Sequence, residues 1–228
     1  MAKVSAGSYD LNKWLYGGYE ADIITTIYGD AGSGKTNFCL LAAVSQVKKG
    51  NKVIYVDTEG GFSVERIKQL AGEDYEKVLK GIVVLKPTSF DEQKEAFKEI
   101  LKHLKNHVSL IVVDGMTMLY RLEFASAREK DISEIQEVNS ELARQMRVLA
   151  EIARKQNIPV LATNQSYEWE KERRMVGGDI LRYWSKCLIE LVNENGKRIA
   201  YLRKHRSLPE KSLGFQIVNE GIKKRGWL

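Results

Sequence analysis

Cysteine is scarce in this sequence, with only Cys39 and Cys187 among 228 residues. The two lie far apart in apolar segments, and neither belongs to a C-x-x-C pair or stands beside histidines. This spacing excludes a disulfide-stapled scaffold and the usual zinc-binding patterns. We therefore expect two buried, reduced thiols and no metal held by cysteine.

Proline and long apolar runs are scarce as well. The chain has 3 prolines, its N-terminus lacks an apolar signal segment, and no apolar run approaches the roughly 18 residues of a membrane-spanning helix. No stretch rich in glycine, serine and proline and no block of charge divides the sequence. These absences predict a soluble, cytoplasmic protein without membrane contact, folded as one domain over residues 1–228.

What the sequence does contain is a glycine-rich loop, G-x-x-x-x-G-K-T, between an apolar run and a helical pattern. Glycines let backbone N–H groups converge on phosphate oxygens, and the helix that follows points the positive end of its dipole at them. The loop therefore predicts binding of a nucleoside triphosphate, with Lys35 reaching the β- and γ-phosphates and Thr36 holding Mg²⁺. The residues predicted to contact the nucleotide here are Gly29, Asp30, Ala31, Gly32, Ser33, Gly34, Lys35, Thr36 and Asn37.

Short runs rich in valine and isoleucine alternate with amphipathic helical patterns, which is typical of parallel strands crossed by helices. The strongest helical patterns span 91–107 and 133–155. After Ser185, strands separated by short turns favour antiparallel hairpins. The predicted strands are 23–28, 52–57, 81–85, 110–114, 159–163, 187–192, 197–204 and 215–219. The sequence thus predicts an α/β fold with a mostly parallel central sheet flanked by helices and with C-terminal antiparallel strands.

Acidic and amide side chains follow three of the predicted strands. Asp114 ends one of them, where its carboxylate could meet a bound Mg²⁺, although Asp-Gly is also a turn dipeptide. Asp57 and Glu59 follow another, and their spacing does not decide which would activate a water molecule and which is a turn residue. Asn164 and Gln165 follow a third strand, either as phosphate sensors or as an ordinary loop entry.

Positive charge is concentrated at the C-terminal end. The net charge of the whole chain is +6, and residues 197–228 carry nine Lys and Arg against two Glu. A basic segment attached to a nucleotide-binding core indicates a polyanionic partner such as nucleic acid. A solvated basic surface is the alternative, because charge runs are often no more than that.

The order of these motifs resembles the ATPase core of the RecA/RadA recombinase family, and is most similar to the archaeal RadB branch of that family. The resemblance rests on segments 7–20, 29–36, 57–60, 110–114, 163–165, 177–181 and 204–206 and on the short length of the chain. It implies a RecA-like P-loop fold, ATP and Mg²⁺ as cofactors, and a role in homologous recombination and DNA repair.

The resemblance also implies roles for individual residues near the nucleotide. Glu59 falls at the position of the water-activating glutamate and Asp114 at that of the Mg²⁺-side aspartate. Gln165 falls where the family links the γ-phosphate to a DNA-binding loop, and Lys35 completes this catalytic set. Arg66 falls where the family stacks a guanidinium group on adenine.

A further basic stretch, Lys204, His205 and Arg206, falls where family members reach the γ-phosphate of a neighbouring subunit. By charge alone, a DNA-facing or solvated strand end would suit these residues equally well.

Two loops contact DNA in this family, and here they would lie within 115–131 and 166–178. Single-stranded DNA is the preferred ligand, because aromatic stacking contributes about 1 to 3 kcal/mol per base and neighbouring arginines bind phosphates. The second segment also carries three glutamates, so a short amphipathic helix with Trp169 packed inside is the alternative. The candidate DNA-binding residues are Arg121, Arg128, Tyr167, Trp169, Lys171, Arg173 and Arg174.

RadA-type proteins carry an N-terminal domain and a polymerisation motif ahead of the core, whereas this sequence begins about seven residues before the core pattern. We therefore expect no N-terminal DNA-binding domain, a dimer or small oligomer, and weak Mg²⁺-dependent ATP hydrolysis. One alternative is an ATP-liganded adaptor that binds RadA recombinase, a junction resolvase or a DNA polymerase. Another is a KaiC-like regulatory ATPase without direct DNA contact.

Overall fold

A computed structural model of the chain describes residues 2–104, 107–129, 131–169 and 172–226. Strands and helices alternate along most of it. The strands are β1 (Lys3–Val4), β2 (Tyr19–Glu20), β3 (Ile24–Gly29), β4 (Lys52–Asp57), β5 (Ile82–Leu85), β6 (Val108–Asp114), β7 (Val160–Trp169), β8 (Glu172–Met175), β9 (Cys187–Glu194), β10 (Lys197–His205), β11 (Lys211–Val218) and β12 (Gly221–Lys224). The helices are α1 (Tyr9–Trp14), α2 (Lys35–Lys48), α3 (Val64–Ala71), α4 (Tyr75–Lys80), α5 (Phe90–His103), α6 (Met118–Arg128), α7 (Ile132–Gln156) and α8 (Gly178–Trp184).

Ten strands form one sheet in the order β12-β11-β10-β9-β3-β7-β6-β4-β5, and β8 pairs with β7. Six adjacent strands of this sheet, β9, β3, β7, β6, β4 and β5, run parallel to one another. β10, β11 and β12 are antiparallel and extend the sheet on one side. The predicted fold class is therefore confirmed, with β3 and its glycine-rich loop near the middle of the sheet.

The central strands β3, β4 and β6 are buried along most of their length because helices cover both faces of the sheet. Within β4, Val53 and Tyr55 pack with Phe38 of α2 on one face. Ile54 points the other way and packs into the layer that contains Leu142 of α7. The two packed layers hold the strand ends, and the loops that follow them, in fixed positions.

Helix starts differ in a way that matters for the site. Ser63, Ser89 and Asp131 precede α3, α5 and α7, and each side chain accepts a backbone N–H of the first turn. Gly34 precedes α2 and supplies no side-chain cap. The first N–H groups of α2 are therefore left for another acceptor, such as an anion.

Some elements differ from the sequence prediction. β7 continues past the predicted end at residue 163 because β8 pairs with it as an antiparallel hairpin. The helix considered for 166–178 is wrong for this reason. The pattern did not predict β12, which pairs with β11 as a further antiparallel strand, and β11 itself begins at Lys211, before the predicted start at 215.

Both cysteines are buried and unpaired, as predicted. Burial raises the pKa of both thiols, that of Cys187 to about 12, so each is held in its protonated form. Within the described ranges, no group of three metal-ligating side chains was found. No helix in those ranges has the length and apolar composition needed to span a membrane.

Candidate nucleotide-binding site

The carboxyl ends of β3, β7, β6 and β4 meet at one edge of the sheet, which we call the loop edge. In the strand registers, Gly29 lies beside Gln165 and Asp57 lies beside Asp114. Ligands of open α/β sheets bind at this kind of edge. The topology therefore gathers the predicted catalytic and metal-binding residues in one place.

The glycine-rich loop at this edge holds polar groups that lack side-chain partners. The Ser33 side chain is fully buried, and its Oγ has no hydrogen-bond partner in the described part of the chain. Lys35 Nζ donates to the backbone carbonyl oxygens of Gly29 and Asp30, both at 2.9 Å. A buried polar atom without a partner calls for an unseen ligand or water, and a phosphate oxygen in this loop fits that requirement.

Two positions in the loop require glycine. A Cβ at Gly29 would lie 2.1 Å from the carbonyl oxygen of Leu191 in β9. Gly34 has φ of 109°, and a Cβ there would lie 3.1 Å from Ile217 of β11. Neither approach tolerates a side chain without movement of the backbone or its neighbour. The loop consequently sits directly against the C-terminal strands.

Asp114, at the end of β6, is buried in a hydrogen-bonded network. Its Oδ2 accepts the hydroxyl proton of Tyr55 at 2.7 Å, and its Oδ1 accepts that of Thr163 at 2.6 Å. Thr163 Oγ1 also accepts the backbone N–H of Gly115 at 2.7 Å. Burial, and then the charge of Asp114, raises the pKa of Tyr55, which keeps the phenol protonated. These bonds fix the orientation of the carboxylate, as supporting residues do at metal sites.

The two side-chain oxygens predicted to hold Mg²⁺, on Thr36 and Asp114, both lie close to Gly61. A Cβ at Gly61 would lie 3.3 Å from Thr36 Oγ1 and 3.5 Å from Asp114 Oδ2. A hydroxyl and a carboxylate beside a phosphate loop form the donor set that P-loop proteins use for Mg²⁺. The residues present therefore fit the metal, and Thr36 and Asp114 are the ones that would hold it.

The geometry separates Asp57 from Glu59, which spacing could not do. Asp57 is buried, and its two oxygens accept the backbone N–H groups of Gly61 at 2.9 Å and Phe62 at 3.1 Å. Glu59 is exposed and accepts a hydrogen bond from Gln165 Nε2 at 3.2 Å. Asp57 therefore stabilises the turn, while Glu59 faces the place where a nucleotide would bind. Its catalytic role stays a prediction.

Opposite pKa shifts occur side by side at the loop edge. Although Glu59 is exposed as a residue, partial desolvation of its carboxylate, followed by repulsion from Asp114, raises its pKa. Burial also lowers the pKa of Lys35, although the charges of Glu59 and Asp114 act against that shift. A carboxylate with a raised pKa is suited to accept a proton at near-neutral pH.

The β7–β8 hairpin projects beyond the loop edge, where the second DNA-binding loop is predicted. Tyr167 and Arg174 are cross-strand neighbours, and both are exposed. Trp169 and Arg173 lie on the two strands, but their side chains, and the whole of Lys171, lie outside the described residues. The structure thus brings one predicted aromatic residue beside one predicted arginine, as single-strand binding requires.

Two hydrogen bonds connect the base of the hairpin to the nucleotide side. Gln165 Nε2 donates to Glu59 Oε1 at 3.2 Å, and Ser166 Oγ donates to Asp30 Oδ1 at 2.6 Å. Asp30 belongs to the glycine-rich loop, and Glu59 follows β4. A ligand that moves either residue would therefore act on the hairpin.

Arg121 and Arg128 lie on α6, so the loop predicted for 115–131 is largely helical. Both arginines are exposed, while Leu119, Tyr120 and Ala127 form the buried face of the helix. The segment folds as a helix because these apolar side chains pack against the neighbouring helices. DNA contact by the two arginines stays a prediction.

Arg66 joins three elements. Its Nε donates to Asn37 Oδ1 at 2.7 Å, and its terminal nitrogens donate to the carbonyl oxygens of Val218 at 2.9 Å and Asn219 at 3.1 Å. These bonds use the edge of the guanidinium group, whereas stacking on a ring uses its face. The predicted stacking on adenine therefore stays a prediction.

The basic stretch at the end of β10 lies at the opposite edge of the sheet, which we call the far edge and define by Lys204, His205 and Arg206. In the strand registers, His205 lies beside Cys187, and Cys187 lies beside Thr25 at the start of β3. The glycine-rich loop follows the other end of β3. These side chains therefore cannot serve the phosphate site of their own chain, and only a neighbouring chain could use them.

Each far-edge side chain has a partner within the chain. Lys204 Nζ donates to two backbone carbonyl oxygens at the end of α8, both at 2.8 Å. Arg206 donates to Glu20 at 2.6 Å and to Asp22 at 2.7 Å. His205 Nδ1 accepts two backbone N–H groups of the turn that follows, at 3.1 and 3.2 Å. The in-trans role stays a prediction, and it requires the side chains to leave these partners.

Sequence reasoning missed Tyr55, Thr163 and Ser166, which support Asp114 and the hairpin. Tyr55 and Thr163 lie within apolar strand runs, one or two positions before the predicted site residues. A polar atom in a buried strand just before a strand end was the available signal, since such an atom needs a partner.

The Rad51 family profile matches residues 1–225. The chain is 42% identical to "DNA repair and recombination protein RadB" of Methanocaldococcus jannaschii, over 93% of the chain and 98% of that relative. It is 44% identical to the protein of the same name in Methanobrevibacter smithii, over 93% of the chain and 92% of the relative. A third protein of that name, from Methanococcus maripaludis, is 40% identical over 93% of the chain and 96% of the relative.

Proposed function

The chain belongs to the Rad51 family, and from that premise we propose that it is an ATP-binding, DNA-binding recombinase paralogue that acts in homologous recombination and DNA repair. Binding of a nucleotide is a property of the family. The relatives reported above carry recombination and repair in their names, and the loop edge has the donor groups that such a role needs.

The nucleotide we propose is ATP with Mg²⁺. Lys35 and the uncapped start of α2 would bind the phosphates, and Thr36 and Asp114 would hold the metal. When bound, Mg²⁺ neutralises charge on the phosphate oxygens. Tyr55 supports this arrangement because it donates a hydrogen bond to Asp114 and so keeps the carboxylate oriented.

Hydrolysis in this proposal is weak. Glu59 accepts a proton from the attacking water, and Gln165 holds the Glu59 carboxylate in place through its amide. An added cation near the γ-phosphate accelerates such reactions strongly. Lys204 and Arg206 are bound within their own chain at the far edge, so we expect slow turnover unless an assembly releases them.

The observation that carries the proposal is the pair of bonds between the nucleotide side and the hairpin. Gln165 contacts Glu59, and Ser166 contacts Asp30. The exposed Tyr167 follows on β7, two residues after Gln165 and one after Ser166. A nucleotide at the loop edge would therefore change the position of the groups proposed to bind DNA.

The test is equilibrium binding of a fluorescent oligo(dT) across a salt series, without nucleotide, with ADP, and with a non-hydrolysable ATP analogue. We expect salt-sensitive binding that the analogue strengthens, and loss of that dependence in Gln165→Ala. Gln136→Ala, at an exposed position on α7, is the matched control. Absence of oligo(dT) binding in every nucleotide state would refute the proposed function.

A second candidate is an ATP-liganded adaptor for RadA recombinase, a junction resolvase or a DNA polymerase. The paired state of the far-edge cations favours it, because a chain that keeps them occupied has little means to hydrolyse ATP in an assembly. Lys35→Ala separates the two candidates. Lost nucleotide binding with retained capture of purified RadA would support the adaptor.

A further inference from the structure

A second basic surface lies away from the nucleotide site, between α1 and strands β10 to β12. It is a groove of about 760 Å³. We call it the C-terminal groove and define it by Tyr9, Lys13, Lys197, Arg198, Lys224 and Arg225. Four of these residues belong to the basic segment 197–228 that the sequence singled out, and the nucleotide site uses none of them.

The basic residues of that segment differ in whether a carboxylate neutralises them. Arg203 forms an ion pair with Glu190 at 2.6 Å, and Lys223 forms one with Glu220 at 3.3 Å. Arg206 is paired at the far edge in the same way. In the described part of the chain, by contrast, no carboxylate forms an ion pair with any of the five groove cations. Six basic residues of the segment have no carboxylate partner among the described residues, and four of them lie in the groove. The other two, Lys204 and Lys211, contact backbone carbonyl oxygens and the ring of Tyr16.

Among the described residues, Asp10 is the one carboxylate that lines the groove, and it forms no ion pair with these cations. Asp10 Oδ2 accepts the backbone N–H of Lys224 at 2.7 Å. This bond ties α1 to the end of β12 and so forms one wall of the groove. Within the described part of the chain, a polyanion entering the groove would thus meet five cationic side chains and a single carboxylate that is already hydrogen bonded.

Aromatic side chains accompany the charge. Tyr9 is 78% exposed, and Trp14 of the same helix is buried and also lines the groove. Trp14 Nε1 and Arg198 Nε are buried donors without a partner among the described residues. Cations next to an open aromatic face, with hydrogen-bonding capacity unused, match the chemistry of a base and its phosphates better than that of an acidic peptide.

We propose that the C-terminal groove binds a single strand of nucleic acid, with phosphates on its cations and a base stacked on Tyr9. The chemistry of the ligand rests on the proposed function, but no hairpin residue takes part. β10 and β11 lie three and four strands from β7 in the sheet, which is roughly 14 to 19 Å at the usual strand spacing. This is the separation across the sheet, and the two candidate surfaces are therefore set on different strands of the same sheet.

The test compares two triple variants of equal charge change. Lys13→Ala/Lys197→Ala/Lys224→Ala removes three exposed groove lysines. Lys52→Ala/Lys77→Ala/Lys80→Ala removes three exposed lysines near β4 and α4, none of which forms an ion pair in the described residues. Oligo(dT) affinity is measured over a salt series after circular dichroism has shown that both variants are folded.

We expect the groove variant to lose on the order of tenfold in affinity and the salt slope to fall by roughly 2, because each phosphate contact on a single strand contributes about 0.7. The control variant should match the parent. Tyr9→Ala should weaken binding by about fivefold or more at an unchanged salt slope, because it removes stacking and no charge.

Equal affinity of the two triple variants, while Arg174→Ala on the hairpin weakens binding, would overturn the groove proposal and leave the proposed function intact. Absence of oligo(dT) binding by the parent would overturn both. A polyglutamate peptide that binds the parent, depends on the three groove lysines and is not displaced by oligo(dT) would also overturn the proposal, because the groove would then be a site for acidic protein.

Discussion

The two ends of β3 lead to two groups of charged side chains that look alike in the sequence. At the loop edge, Lys35 contacts backbone carbonyl oxygens and Ser33 Oγ has no partner in the described residues. At the far edge, Arg206 is held by Glu20 and Asp22, and Lys204 by the end of α8. Both lysines donate to backbone carbonyl oxygens, so the contrast lies in their neighbours. Ser33 Oγ keeps its hydrogen-bonding capacity for a ligand, whereas Arg206 is neutralised by two carboxylates of its own chain.

This difference shows what a basic or polar motif establishes. A residue type and its spacing indicate which chemistry is available, but the neighbours decide whether that chemistry is directed outward or used to stabilise the fold. The loop edge should therefore respond to mutation mainly through ligand binding and turnover. The far edge should respond mainly through stability.

The largest effect is expected for Glu59→Gln. The amide cannot accept a proton, so single-turnover ATP hydrolysis should fall by roughly 10² to 10⁴, while affinity for an ATP analogue stays within about twofold. Glu65→Gln, at an exposed position paired with Lys68, is the control and should hydrolyse ATP like the parent. Unchanged hydrolysis in Glu59→Gln would remove this carboxylate from the mechanism.

The second-largest effect is expected on nucleotide affinity. It is tested by comparing substitutions of two lysines at opposite ends of α2. Lys35→Ala should weaken binding of an ATP analogue by about 10- to 100-fold, because a charged hydrogen bond contributes about 1.5 to 3 kcal/mol. Lys48→Ala removes an exposed lysine whose ion pair with Asp74 measures 3.8 Å, and should bind like the parent. Isothermal titration calorimetry measures both, and equal affinities would contradict the loop-edge assignment.

Much of this comparison could be predicted from the sequence. The glycine-rich loop, the place of Asp114 at a strand end and the mostly parallel sheet with C-terminal antiparallel strands followed from short motifs and from the alternation of strands and helices. These features depend on local pattern, and the sheet brings strand ends together without further information. The family resemblance selected Glu59 over Asp57 as the catalytic candidate. In the structure, Asp57 is bound to the turn it precedes, and the catalytic role of Glu59 stays a prediction.

The rest depended on partners distant in sequence. Nothing near Arg206 reveals that Glu20 lies against it, because the contact joins the start of the chain to its end. The same holds for Tyr55 with Asp114 and for Ser166 with Asp30. Side-chain pairing of this kind follows from tertiary packing, which periodicity does not encode.

A third prediction tests whether the far-edge side chains stabilise the fold. Arg206→Ala leaves the Glu20 carboxylate, which is 2% exposed, without its closest cation. We expect a loss of about 1 to 2 kcal/mol in the free energy of unfolding by urea, with nucleotide affinity unchanged. Lys223→Ala, which removes an exposed ion pair, should cost less than about 0.5 kcal/mol. A lowered nucleotide affinity in Arg206→Ala, with stability intact, would reverse the roles of the two edges.

The smallest effect is a dependence of stability on pH at His205. Burial lowers the pKa of this imidazole from its usual value near 6.5, although Glu20 opposes the shift and Lys3, Arg206 and Lys211 reinforce it. The unfolded chain therefore binds a proton at a higher pH than the folded chain, so stability should be lost as pH falls below about 6.5.

Protonation of His205 would also remove the ring nitrogen that accepts two backbone N–H groups. His205→Asn keeps an acceptor but does not titrate, so its urea stability should fall less than that of the parent between about pH 7.5 and about pH 5.5. Glu20 and Asp22 are present in both proteins, and the difference between the two curves therefore isolates the imidazole. Curves of equal slope would mean that His205 titrates alike in the folded and unfolded chains, and that the far edge places no constraint on its charge.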